Sequence, residues 1–144
     1  MKIMVSACLL GTKCKYNGGD NYSEKTVAAF RGHDLIPVCP ELAGGLSVPR
    51  RPCEIVGGTV MNDEGKNVDA AFRAGAEICL KKAFEERIDL AVLQPRSPSC
   101  GVTHVYDGTF SGRLVDGSGV FAGLLAENGF RVVDADEFVS RAEE

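Results

Sequence analysis

Short aliphatic runs, each closed by a polar or glycine-rich turn, alternate along this chain with stretches of helical periodicity. Residues 2–7, 34–38, 89–94 and 130–133 are such runs, too brief for helices and bounded by turn residues, so they predict four strands. Ser23 offers an N-cap for a helix to Arg31 with Val27 and Phe30 on its apolar face and Gly32 as its stop. Over residues 68–87, Phe72, Ala76, Cys79 and Ala83 recur at steps of three and four, which predicts a long helix with one buried stripe. Gly117-Ser118-Gly119 opens another helix that Asn128-Gly129 stops, and a terminal helix with a polar tail follows Asp134. Gly57-Gly58 sits between two short β-type runs as a hairpin turn, and residues 105–110 read as a second tight hairpin around Asp107-Gly108. The Gly- and Pro-rich segment 40–51 reads as a loop.

This alternation predicts an α/β fold in which a four-stranded, mostly parallel sheet carries helices on both faces, with the two hairpins as insertions. With right-handed crossovers and strand order 2-1-3-4, the carboxyl ends of all the strands share one rim. Pro37 lacks the N–H a central strand needs, so the second strand belongs at a sheet edge. Three cysteines follow strand ends directly or in the next turn: Cys8, Cys39 and Cys100, the last within Arg96-Ser97-Pro98-Ser99-Cys100-Gly101. Neighbouring strands lie about 4.8 Å apart, so thiols at three adjacent strand ends can meet in one cluster. Ligands of open α/β sheets bind at this rim.

The remaining sequence narrows the chemistry. At 144 residues the chain fits a single domain, residues 1–144, with no repeat or linker to divide it. A net charge of −4 and a pI near 5.2 argue against nucleic acid as the main partner. Lys2 followed by an apolar run ending at Cys8 looks superficially like a lipoprotein signal, but the run has five residues, and a signal core needs about 7 to 15. No apolar run approaches the roughly 20 residues that span a bilayer, so no membrane role is expected. A cytoplasmic location follows, where thiols stay reduced and six cysteines point to metal or catalytic use rather than disulfides. Spacing alone leaves zinc, an iron-sulfur cluster and redox exchange open, because there is no Cys-x-x-Cys pair.

Three separated motifs carry a further signal. Ser6-Ala7-Cys8-Leu9-Leu10-Gly11 with Cys14-Lys15-Tyr16-Asn17-Gly18 comes first, then Pro37-Val38-Cys39-Pro40-Glu41 with Gly44-Gly45-Leu46 and Pro49-Arg50. Ser97-Pro98-Ser99-Cys100-Gly101 with Tyr106-Asp107-Gly108-Thr109-Phe110 is the third. Together they resemble the thiouracil desulfidase family over nearly the whole chain. The resemblance implies a Rossmann-like domain with a four-iron four-sulfur cluster on Cys8, Cys39 and Cys100, leaving one iron open. It implies non-redox removal of sulfur from a thiolated pyrimidine, a free base or nucleotide, as hydrosulfide, and a need for cluster-assembly machinery.

By the same resemblance Glu41 matches the acid–base position and Ser97 the activating one. Glu41 after Pro40 also suits the first turn of a helix, where the dipole favours a carboxylate. Arg50 and Ser99 are candidates for substrate contact. Against that, an Arg between prolines can simply bond its own loop, and Ser99 can tune the turn or a cluster sulfur. Cys14 reads as a thiol behind the ligands, and Cys53 and Cys79 as buried small side chains. Lys15 and Asn17 depart from the Arg and Asp frequent in the family pattern, which weakens any role of their loop in substrate contact. His104 reads as structural, and Gly117 and Gly119 are a weak anion signal without the dinucleotide fingerprint, so no nicotinamide cofactor is expected. The competing functional reading is a non-enzymatic zinc or iron-sulfur binding, or sulfur-carrier, module.

Overall fold

A computed structural model describes residues 1–143. Its central sheet has the order β2-β1-β5-β8, with every neighbouring pair parallel. The members are β1 (Lys2–Ser6), β2 (Asp34–Val38), β5 (Leu90–Leu93) and β8 (Val132–Asp134). Counting the sheet members alone, this is the expected 2-1-3-4. The antiparallel pairs β3 (Cys53–Val56) with β4 (Thr59–Asn62) and β6 (His104–Tyr106) with β7 (Leu114–Asp116) stand apart as separate two-stranded sheets.

The strands read as continuous apolar runs because both faces are covered. Met4, Ala91 and Leu93 point into a core shared with α3 (Asp69–Glu86) and α4 (Val120–Glu127). Ile3, Val5, Leu90 and Val92 point into the opposite core, where Phe30 from the end of α1 (Glu24–Ala29) stacks on Phe138 of α5 (Ala135–Ala142). The stripe Phe72, Ala76, Cys79, Ala83 is buried as its spacing requires. Pro37 lies on the edge strand β2, paired with Val5 on one side only.

Four local expectations change. Ser23 holds the N-cap position of α1, yet its side chain makes no capping bond, whereas Asp134 accepts from the Glu137 N–H at 2.8 Å and caps α5. The segment 40–51 is not loop throughout: Pro40–Ala43 forms a single helical turn, α2, with Pro40 in the first turn and Cys39 as N-cap. The last strand starts later than expected and runs Val132–Asp134. The second hairpin is wider than expected, because β6 pairs with Leu114–Asp116 and residues 107–113 form the connection.

Backbone packing fixes α2. A Cβ on Gly75 would stand 1.8 Å from the Pro40 carbonyl oxygen, and one on Gly44 would stand 2.0 Å from that of Ala71. Only glycine at both positions lets α2 lie directly on the backbone of α3, and that contact sets where Cys39 and Glu41 emerge at the rim.

Candidate active site at the strand rim

The carboxyl ends of β1, β2 and β5 open on a cavity of about 600 Å³. Cys8, in the 3-10 turn Ala7–Leu10 after β1, Cys39 after β2 and Cys100 after β5 all line it. Cys8 and Cys100 are buried and Cys39 is half-buried. The parallel sheet therefore brings together the three thiols expected at its rim.

Each thiol has a polar partner. Asn21 Nδ2 donates to Cys8 Sγ at 3.3 Å. The Cys14 thiol, itself buried, lies in hydrogen-bonding contact with both Cys8 and Cys39. Those contacts push Cys14 far above the ordinary thiol range and lower Cys8. Cys39, bonded by Cys14 and by the Leu42 N–H, is lowered to about 7. Cys100 is raised by its burial, against hydrogen bonds from Ser6 and Ser99. Ser6 Oγ also accepts from the Gln94 N–H at 2.9 Å, tying the ends of β1 and β5. Neither Ser6 nor Asn21 was anticipated from the sequence, although a serine closing an otherwise aliphatic strand is a visible signal of a buried polar role.

The turn carrying Cys100 is held from two sides. Ser97 Oγ accepts from the N–H groups of Ser99 and Cys100, both at 3.1 Å. From the other side, the N–H groups of Gly119, Val120 and Phe121 donate to the carbonyls of Gly101, Pro98 and Ser99 at 2.7 to 2.8 Å. The orphan donors at the start of α4 thus close the cysteine turn, which rules out the weak anion-cradle reading of Gly117 and Gly119.

A chain of side chains leads along the cavity wall. Ser97 Oγ lies 3.0 Å from Ser99 Oγ, and Ser99 Oγ donates to Glu41 Oε2 at 2.7 Å. Glu41 Oε1 accepts from Arg50 Nε at 3.2 Å and Nη2 at 2.9 Å. Arg50 further donates to the carbonyls of Cys14 and Ser47. The Arg50 fork thus bonds its own loop, the Cys14 carbonyl and Glu41, as the loop-holding alternative expects, while the residue also lines the cavity. Ser99 is only 1% exposed and links Glu41 to Ser97 at the cavity wall. Its 3.6 Å contact to Cys100 Sγ competes with the bond to Glu41, since one hydroxyl has one proton.

The other cysteines divide. Cys79 is buried on the α3 stripe, as expected, whereas Cys53 is half-buried and lines the cavity. Burial raises both to about 11. His104 pairs with Asp116 at 3.2 Å and stands outside the cavity lining. Lys15 lines the cavity, so the loop whose substrate role the sequence put in doubt does border the site.

The donor set suits a group with a taste for sulfur, since soft thiolates select iron-sulfur clusters, zinc and copper(I). Among the described residues, no three Cys, His, Asp or Glu side chains converge on the position of a single ion. The three rim thiols line one cavity, and their donor chemistry fits an iron-sulfur cluster.

Comparisons with known proteins agree with this layout. The family model described as 2-thiouracil desulfurase matches residues 3–137. An uncharacterized protein of Bacillus subtilis (strain 168), YbbK, is 40% identical over 145 aligned residues, covering 94% of this chain and 96% of its own length. Among solved structures, the [4Fe-4S]-dependent thiouracil desulfidase TudS superposes with a TM-score of 0.88 at 38% identity, covering 94% of this chain and 91% of that one.

Proposed function

The chain belongs to the 2-thiouracil desulfurase family, and we propose that it hydrolyses the thiocarbonyl of a thiolated pyrimidine, releasing hydrosulfide and leaving a carbonyl. Water supplies the oxygen, the sulfur departs with the electron pair of its bond to carbon, and no oxidant or reductant is consumed. Cys8, Cys39 and Cys100 would hold a [4Fe-4S] cluster in the cavity. When bound, that cluster supplies a soft Lewis-acidic iron without a protein thiolate, an acceptor suited to sulfur. The observation that carries the reading is the single cavity lined both by three strand-end thiols and by the Glu41–Ser99–Ser97 chain.

The protein side chains have separable tasks. A carboxylate has about four acceptor sites; Arg50 and Ser99 fill three on Glu41, leaving one to take a proton from water. Two backbone N–H groups occupy the lone pairs of Ser97 and, with the Ser99 proton on Glu41, the Ser97 proton rests on Ser99 Oγ. Ser97 therefore polarises the bond to be broken by turning that one proton from Ser99 to the substrate. Arg50, anchored on two carbonyls, keeps Glu41 aimed.

No helix among the described residues is long and apolar enough to cross a membrane. Thiols that must stay reduced to hold a cluster suit the cytoplasm, where cluster-assembly machinery would load the protein. The test is anaerobic reconstitution of the full chain followed by iron, acid-labile sulfide and hydrosulfide-release assays on thiolated bases and nucleotides. Cys8→Ser, Cys39→Ser and Cys100→Ser should each lose labile sulfide and activity, while Cys79→Ser keeps both. Bound zinc without labile sulfide in the native protein would overturn the reading.

A further inference from the structure

The segment Tyr106-Asp107-Gly108-Thr109-Phe110 has no task in the reaction as described, yet the structure fastens it with unusual care. Asp107 Oδ1 accepts from the Thr109 N–H at 2.9 Å and from the Thr109 hydroxyl at 2.6 Å. Glu54 Oε1, reaching across from β3, accepts from the N–H groups of Gly108 at 3.0 Å and Phe110 at 3.1 Å. Gly108 itself lies so close to β3 that a Cβ there would stand 2.7 Å from the Ile55 carbonyl oxygen.

What this clamp holds is a strained aromatic residue. Phe110 has φ +56°, in the left-handed region that bulky side chains avoid. Strain of this kind persists only where surrounding contacts enforce it, and it gathers at functional sites. Among the described residues, the other non-glycine residues with positive φ are Arg87 and Arg96. Arg87 is the left-handed cap that ends α3, an ordinary use, while Arg96 and Phe110 both line the cavity. Packing does not account for the strain, because Phe110 remains 37% exposed.

We propose that Phe110 is a substrate-contacting residue whose ring forms a stacking platform for the planar heterocycle, selecting ring thiocarbonyls over acyclic thioamides. With the backbone of Phe110 clamped, only its side-chain torsions remain to be fixed on binding, and every pyrimidine has a π-face to present. The inference rests on the proposed desulfidase reading. Base–aromatic stacking is lost on alanine substitution to a degree that corresponds to roughly 5- to 150-fold in affinity.

Phe110→Gly and Phe110→Leu test it, with the reconstituted full chain and 2-thiouracil as the probe. Glycine adopts this φ without strain, so Phe110→Gly should raise KM about 10-fold or more with a smaller fall in kcat. It should leave iron and labile sulfide contents unchanged and the melting temperature equal or higher. Phe110→Leu, which keeps apolar bulk without a π-face, should raise KM similarly, and Phe110→Tyr should restore it. Thioacetamide turnover should be equal in native protein and both variants. An unchanged KM in Phe110→Gly, or a clear fall in its melting temperature, would overturn the proposal. Native protein inactive on 2-thiouracil would instead overturn the reading beneath it.

Discussion

Replacing Arg50 by methionine removes the guanidinium while keeping an apolar stem of similar reach. The side chain is 8% exposed and its partner Glu41 15% exposed, so this ion pair is close to fully withdrawn from water. Once Arg50 is gone, Glu41 keeps the Ser99 hydroxyl as its side-chain donor, at 2.7 Å, and the carbonyls of Cys14 and Ser47 lose their guanidinium partner. Breaking a buried pair by deleting one partner costs about 3 to 5 kcal/mol, most of it the uncompensated charge. For a chain of this size roughly 1 kcal/mol corresponds to about 3 °C, so the melting temperature should fall by about 10 °C.

The sign of the second substitution makes this more than a statement about any core mutation. Replacing both partners by apolar groups, Arg50→Met with Glu41→Leu, removes the buried charge together with its counter-ion and should recover most of the lost stability. Activity should stay absent, because the carboxylate is gone. Thermal unfolding of the four proteins by circular dichroism, without metal and at one pH, gives the coupling energy of the cycle. A loss below about 1 kcal/mol for Arg50→Met, or strict additivity of the two substitutions, would refute the assignment of a desolvated, mutually dependent pair.

Other perturbations probe the scaffold and the relay. Gly75→Ala would ordinarily stabilise a helix interior by about 1 kcal/mol. Here its Cβ meets the Pro40 carbonyl oxygen at 1.8 Å, so overpacking should reverse the sign and cost roughly 1 to 3 kcal/mol, seen as a lower melting temperature and poorer iron retention. Ser99→Ala leaves Glu41 Oε2 without its donor and Ser97 without its acceptor. It should lower kcat about tenfold with KM and cluster content little changed, a loss of about 1.4 kcal/mol typical of one hydrogen bond to a charged group; a kcat equal to that of native protein would contradict the linkage.

Much of the sheet was legible because its strands are covered on both faces. Ile3-Met4-Val5 and Leu90-Ala91-Val92-Leu93 are uninterrupted apolar runs for that reason, and Pro37 marked the edge strand. Strand direction then placed Cys8, Cys39 and Cys100 on one rim. Elements too short for periodicity were hidden. The single turn Pro40–Ala43 shows no stripe, although Pro40 followed by Glu41 is a first-turn signature, and β7 is exposed at every position and so has no alternation to read. Contacts between loops were also out of reach. The bond from Ser99 to Glu41 joins residues 58 apart, and the Arg50 fork depends on carbonyl positions that no side-chain pattern encodes. The resemblance supplied Glu41 and Ser97, while the structure added Ser99 as the side chain between them.

The central claim is hydrolytic desulfuration at the thiol-lined cavity, and product stoichiometry tests it most directly. Anaerobically reconstituted protein, given 2-thiouracil in water enriched in oxygen-18 and no reductant, should form uracil carrying the heavy oxygen and hydrosulfide in equal amounts over many turnovers. Protein that retains its iron and labile sulfide yet forms no uracil, or that releases sulfide only when a reductant is added, would contradict the account.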